Sequence, residues 1–132
     1  MELNHVVDEA TERAVVGGLI INPKCYNLVL PYVPEPKVFY HKNTRQLWKR
    51  LTKMVRNGQH IDNITVCSSL DSEDMEMGLS KTFVIDCSSS GCLDAMTEIY
   101  AQKIYEKYLL RKIIAETETI RETAMSNGED VY

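Results

Sequence analysis

Apolar residues recur along this chain at helical rather than strand spacing. Asp8, an acceptor suited to an N-cap, precedes Ala14, Val15, Val16 and Leu19, which predicts a helix from about Glu9 to Ile21. Gly17-Gly18 inside it costs about 1 kcal/mol each relative to alanine. That cost is tolerable where a second helix packs against the bare backbone. No phosphate-binding pattern (G-x-x-x-x-G-K-[ST] or G-x-G-x-x-G) surrounds the pair. Asn22-Pro23 reads as a stop and a fresh start, with a short helix from Pro23 to about Leu30. Pro31, Pro34 and Pro36 predict a loop leading to a turn at Val38-Phe39-Tyr40. A helix capped by Asn43 or Thr44 follows, running to Arg56. Its Leu47, Trp48, Leu51, Met54 and Val55 mark one core-facing stripe, and Asn57-Gly58 closes it. Asp62 caps a further short helix, Asn63 to Leu70. Residues 71–92 are the hardest to read. An acidic loop is expected first, then a helix over Leu79–Cys87, since a lone strand there has no partner to pair with.

From Asp94 to about Met125 there is neither proline nor glycine, and Asn127-Gly128 supplies a stop. Some 32 residues at ~1.5 Å each give a rod of roughly 48 Å. A compact domain of this length is only roughly 36 Å across. The rod therefore overhangs its own head, and the overhang is not polar. Leu109, Ile113, Ile120 and Ala124 form a stripe with Leu110 and Ile114 beside it, while Tyr100, Ile104 and Tyr108 form a seam at i, i+4, i+8. A monomer leaves such a stripe in water at a cost. Either a helix from a second copy or from further chain covers it, or the rod kinks back onto its own body. The expected architecture is all-α: a compact helical head over 1–93, a long helix over 94–126, and the start of a turn or linker over 127–132.

Composition adds constraints. At 132 residues, 44% apolar and 26% charged, the chain fits one globular domain. Its longest apolar run is far below the ~20 residues that span a bilayer. An acidic N-terminus does not resemble a secretory signal. A cytoplasmic location without a membrane partner is expected. The four cysteines and three histidines lack zinc-site spacing, so reduced thiols are the default, although Cys87 and Cys92 flank a short loop and could pair. Net charge is −4, yet seven basic residues and no acid lie between Lys37 and Arg56. Lys42, Arg45, Lys49, Arg50, Lys53 and Arg56 make a candidate basic contact face, with a merely solvated surface as the alternative. No base-reading motif or aromatic stacking platform accompanies it. No nucleophile–base pair, metalloprotease motif or nucleophile elbow appears either, so no catalytic, metal or cofactor-binding residue is assigned.

Four strings in series carry a resemblance. Glu12-Arg13-Ala14-Val15-Val16-Gly17-Gly18-Leu19 resembles the E-Q-x-V-L-G-G-L helix that opens the N-terminal domain of DnaB-type replicative DNA helicases. Phe39-Tyr40 with Arg45 and Leu47-Trp48 is similar to that family's F-Y-x-x-x-H-R-x-I-F, Thr44 standing where the family has His. Gly58 to Val66 is similar to G-x-P-I-D-x-V-T-L, with His60 in place of Pro. Tyr100-Ala101, Glu106 and Arg111 resemble Y-A-x-x-V-R-E-x-x-x-x-R, with Lys103 and Tyr105 as departures. Residues 71–99 lack the family's V-G-G and P-S-A-A-N.

The resemblance implies a non-catalytic domain that helps hold a hexameric helicase together as a collar and docks primase or a helicase loader. It implies that the long helix pairs between subunits, so that Ile104, Tyr108, Leu109, Ile113, Ile114, Ile120 and Ala124 are the expected interface. It further implies that the long helix is the first arm of a helical hairpin, with the second arm starting near Asp130-Val131. ATP, Mg2+ and most DNA contact would belong to a motor domain beyond Tyr132. Two alternatives remain from the sequence: the helicase-binding domain of a primase, and a small helical nucleic-acid-binding regulator using the basic face 37–56.

Overall fold

Helix α1 (Glu9–Ile21) runs through the middle of the head and touches most of what surrounds it. Asp8 caps it, accepting from the Thr11 backbone N–H at 3.1 Å. Asn22 ends it and in turn caps a 3-10 helix, Pro23–Cys25, that leads directly into α2 (Tyr26–Val29). A second 3-10 turn, Pro36–Val38, follows the proline-rich loop. Helix α3 (Lys42–Arg56) comes next, then α4 (Asn63–Ser69), α5 (Ser72–Glu76), α6 (Lys81–Ser89) and α7 (Asp94–Val131). The computed structural model describes residues 6–131, and among them there is no strand. The all-α architecture with one long terminal helix is as the periodicity predicts.

The core forms where α1, α3, α6 and the start of α7 converge. Val15, Val16 and Leu19 meet Leu47, Trp48 and Leu51 from α3, and all are essentially inaccessible to water. The glycine pair behaves as its cost requires. A Cβ on Gly17 would lie 1.8 Å from the Cys87 carbonyl oxygen, and one on Gly18 would lie 2.4 Å from Thr97 Oγ1. Bare backbone is what lets the end of α6 and the start of α7 close onto α1.

Three boundaries differ from expectation. Helix α3 starts at Lys42, two or three residues early, because His41 takes the extended cap position. The acidic stretch is a helix, not a loop: Asp71 and Asp74 form a reciprocal capping box, which stabilises even a five-residue helix. Helix α7 continues through Asn127-Gly128 to Val131. A glycine weakens a helix by only ~1 kcal/mol, and no left-handed cap forms there, Gly58 and Gly78 being the positive-φ glycines described. The rod is thus 38 residues, about 57 Å. At Asp130-Val131, where a second arm is expected to start, the backbone still belongs to α7, and Tyr132 lies outside the described residues.

Candidate partner interface

A buried carboxylate anchors the head. Glu12 lies on the apolar face of α1, three and four residues before Val15 and Val16, and is 1% exposed. Its Oε2 accepts from the Tyr40 N–H at 2.9 Å. Its Oε1 accepts from the His41 N–H at 3.2 Å and from the Thr44 hydroxyl at 2.7 Å, and lies 3.2 Å from His41 Nδ1. Thr44, which departs from the family pattern, therefore still gives Glu12 a donor. A carboxylate at a core-facing helical position was the available signal for this hub, which the sequence reading missed.

Arg111 ties α7 to that assembly. Its guanidinium donates to the Val6 carbonyl at 2.8 Å and to the Val38 carbonyl at 3.0 Å. It also sits over the rings of Tyr40 and Tyr108. Burial pulls its pKa below the ordinary arginine value.

Two faces of α7 separate at this point. Thr97, Ala101 and Ile104 are buried against the head, and Tyr108 packs at the edge of the same seam. Leu109, Ile113, Ile120 and Ala124 lie on a line roughly 150° around the helix from that seam, at about 100° per residue. Ile104 is 2% exposed, whereas Ile113 is 59% and Ile120 69% exposed. Ile104 therefore does not belong to the expected interface, and Tyr108 only borders it: both are committed to their own head. Leu109, Leu110 and Ala124 are exposed and Ile114 is half-buried, so these remain with Ile113 and Ile120 on the projecting part.

The basic face divides similarly. Arg50 donates from Nε to Asp74 at 2.9 Å and from Nη2 to Asp71 at 2.8 Å. Gln46 donates to the other Asp74 oxygen at 2.8 Å. The Asp74 backbone N–H, with Arg50 beside it, holds the Asp71 carboxyl below the usual carboxylate range. Arg45 donates to the Phe39 carbonyl at 3.0 Å. Arg45 and Arg50 are thus structural, because helix α5 and the Phe39 turn pack over them, and they leave the contact face. Lys42, Lys49, Lys53 and Arg56 stay exposed. Burial pushes the Cys25 thiol up to about 11 and the Cys87 thiol to about 12, so neither is poised as a nucleophile. Among the described residues no His, Cys, Asp or Glu cluster could hold a metal ion, and no helix is long and apolar enough to cross a membrane.

Comparison with known proteins agrees with this architecture. The chain is 27% identical over 122 residues to the replicative DNA helicase DnaC of Bacillus subtilis (strain 168), an alignment covering 91% of this chain and 26% of that one. The chain thus spans about a quarter of that relative's length. Its fold superposes on the crystal structure of the N-terminal domain of DnaB helicase from Mycobacterium tuberculosis with a TM-score of 0.86, covering 96% of this chain and 90% of that one at 22% identity. The family profile described as the DnaB-like helicase N terminal domain matches residues 4–106, most of the head-forming sequence and the first part of α7. The chain belongs to the DnaB-like helicase N-terminal domain family.

Proposed function

We propose that this chain is the assembly and docking module of a ring-forming replicative DNA helicase, not its motor. The projecting part of α7 carries the reading. Past Arg111 the helix runs another 20 residues, about 30 Å, with an apolar line facing away from the head. Each half-exposed Leu or Ile left in water forgoes roughly 1 kcal/mol that a partner helix would recover. A second copy of the chain supplies such a helix. The head then remains free to dock a primase or a helicase loader, with DNA contacted weakly or indirectly. The chain's own role needs no cofactor, ATP and Mg2+ belonging to the motor of such a helicase.

Multi-angle light scattering tests the assembly. The chain is expected to dimerise or associate further as concentration rises. Ile113→Asp with Ile120→Asp should weaken association by roughly 100-fold or more, about 3 kcal/mol. Both side chains point to solvent, so the variant's melting temperature should hold. A wild-type chain that stays monomeric at high concentration, or self-association untouched by the double variant, overturns the reading.

A further inference from the structure

Away from the α7 stripe, a groove of about 330 Å3 opens between α2, the proline-rich loop and α3. Its floor is the Tyr26–Trp48 ring pair, stacked with centroids 5.2 Å apart and planes 17° apart. Leu30, 37% exposed, and Pro34 and Pro36 make one wall. Lys49, Lys53 and Arg56 make the other, spaced i, i+4, i+7 so that all three line the same side of α3.

We infer that this groove docks a short acidic amphipathic segment of a partner protein, seating apolar side chains against Leu30 and the prolines and carboxylates against Lys49, Lys53 and Arg56. Charge carries the choice of occupant. No Asp or Glu lines the groove. Among the described residues Lys49, Lys53 and Arg56 have no carboxylate partner, while Arg50, on the same helix, has two. On their other side Lys49 and Lys53 border Asp71, Glu73 and Asp74 without pairing to them, so three cations free of direct ion pairs stand beside an apolar trough and match a ligand that presents carboxylates along one edge and apolar side chains along the other. The prolines fix the wall in advance, so little ordering entropy is lost on binding.

The same features disfavour nucleic acid. Trp48 is 2% and Tyr26 7% exposed, their faces turned towards each other, so no open ring is offered to a base. The chain as a whole is acidic, at −4. A mononucleotide or free phosphate would use the cations and leave the Leu30 wall idle. The inference deepens the docking half of the proposed function and rests on that half. The assembly half uses the projecting part of α7, which contributes no residue to the groove.

The test is selection of peptides from a random twelve-residue display library on the full chain, with Trp48, the only tryptophan, as the optical reporter. Selected peptides should be net acidic with two or more large apolar residues, and should shift Trp48 emission on binding. Lys49→Glu with Lys53→Glu should weaken them at least tenfold, as should Leu30→Asp, and raising salt should weaken them progressively. Circular dichroism melts of these surface variants should match the wild type. Four results overturn the inference: no enrichment, neutral or basic winners, winners that bind the lysine variant equally, or an oligothymidylate that shifts Trp48 and displaces them. The lysine variant keeps its α7 stripe, so its oligomeric state reports separately on assembly.

Discussion

Glu12 gives the sharpest test of what holds the head together. Its two oxygens receive the Tyr40 and His41 N–H groups and the Thr44 hydroxyl, with His41 Nδ1 in range, at a site that is 1% exposed. Glu12→Ala removes both acceptor oxygens and leaves the Tyr40 and His41 N–H groups facing a void, while the Thr44 hydroxyl keeps the His41 carbonyl at 3.1 Å. At ~1–3 kcal/mol per buried unsatisfied group, offset in part by entering water, the loss should be about 4 kcal/mol. Glu12→Gln preserves shape. With its amide oxygen in the Oε1 position it keeps the crowded side, but its NH2 then points at the Tyr40 N–H, donor against donor. That variant should lose about 2 kcal/mol. Urea unfolding at neutral pH, followed by circular dichroism and Trp48 fluorescence, gives both numbers by linear extrapolation. A Gln variant within about 0.5 kcal/mol of wild type would mean that the carboxylate is not the acceptor the geometry makes it. An Ala variant no worse than the Gln variant would refute the cost assigned to the orphaned donors.

Two further outcomes follow from the packing and the caps. Gly17→Ala should lower the melting temperature despite alanine's helix advantage of about 1 kcal/mol, because its Cβ would meet the Cys87 carbonyl at 1.8 Å; a rise on calorimetry would refute the close approach of α6. Asp62, Asp71 and Asp94 each have a pKa depressed below the usual carboxylate value, by the Thr65 backbone N–H, the Asp74 backbone N–H and the Asn22 amide respectively. The unfolded chain therefore binds more protons as these groups titrate, so their stabilisation is present above the ordinary Asp pKa and lost as pH falls through the lower folded values. The urea midpoint should hold between about pH 7 and 5 and drop below about pH 4; a midpoint that rises on acidification contradicts it.

Helix α3 is legible in the sequence because one apolar face runs up to the Asn57-Gly58 stop, and α1 because Asp8 caps an apolar run that is buried without a break from Ala14 to Ile20. Helix α5 is not, since a run of Ser72, Glu73, Asp74, Met75 and Glu76 has no apolar periodicity to detect. What makes it a helix is the reciprocal Asp71–Asp74 cap, and what fastens it is Arg50 reaching across from α3. The same contact removes Arg50 from the basic face. Composition counted that arginine as available surface because charge patterning along one helix does not reveal an acidic neighbour 21 to 24 positions away. The departures from the family pattern fall at exposed or adaptable places: His60 is solvent-facing and lies 2.9 Å from Asp62, and Thr44 substitutes one donor for another at Glu12.

Helix α7 shows what periodicity can and cannot carry. Its apolar residues recur from Ala101 to Ala115 and resume at Ile120 and Ala124 after Glu116–Thr119, so spacing alone merges two surfaces into one stripe. The merger fails on angle. Residues 97, 101, 104 and 108 share one side, and 109, 113, 120 and 124 lie roughly 150° away. The handover occurs at Arg111, where the guanidinium bonds the last two head carbonyls it can reach. Exposure rises from 2% at Ile104 to 59% at Ile113 across that tie. A helix that simply ran off the end of its head would turn polar on all sides beyond such a point, because nothing would select for apolar residues there. This one turns apolar on a fresh face instead. The face is oriented away from the head, so bending the rod back by any smooth curve would not bury it. A second helix lying alongside would, and that geometric requirement makes Ile113 and Ile120, not Ile104, the residues on which assembly should depend.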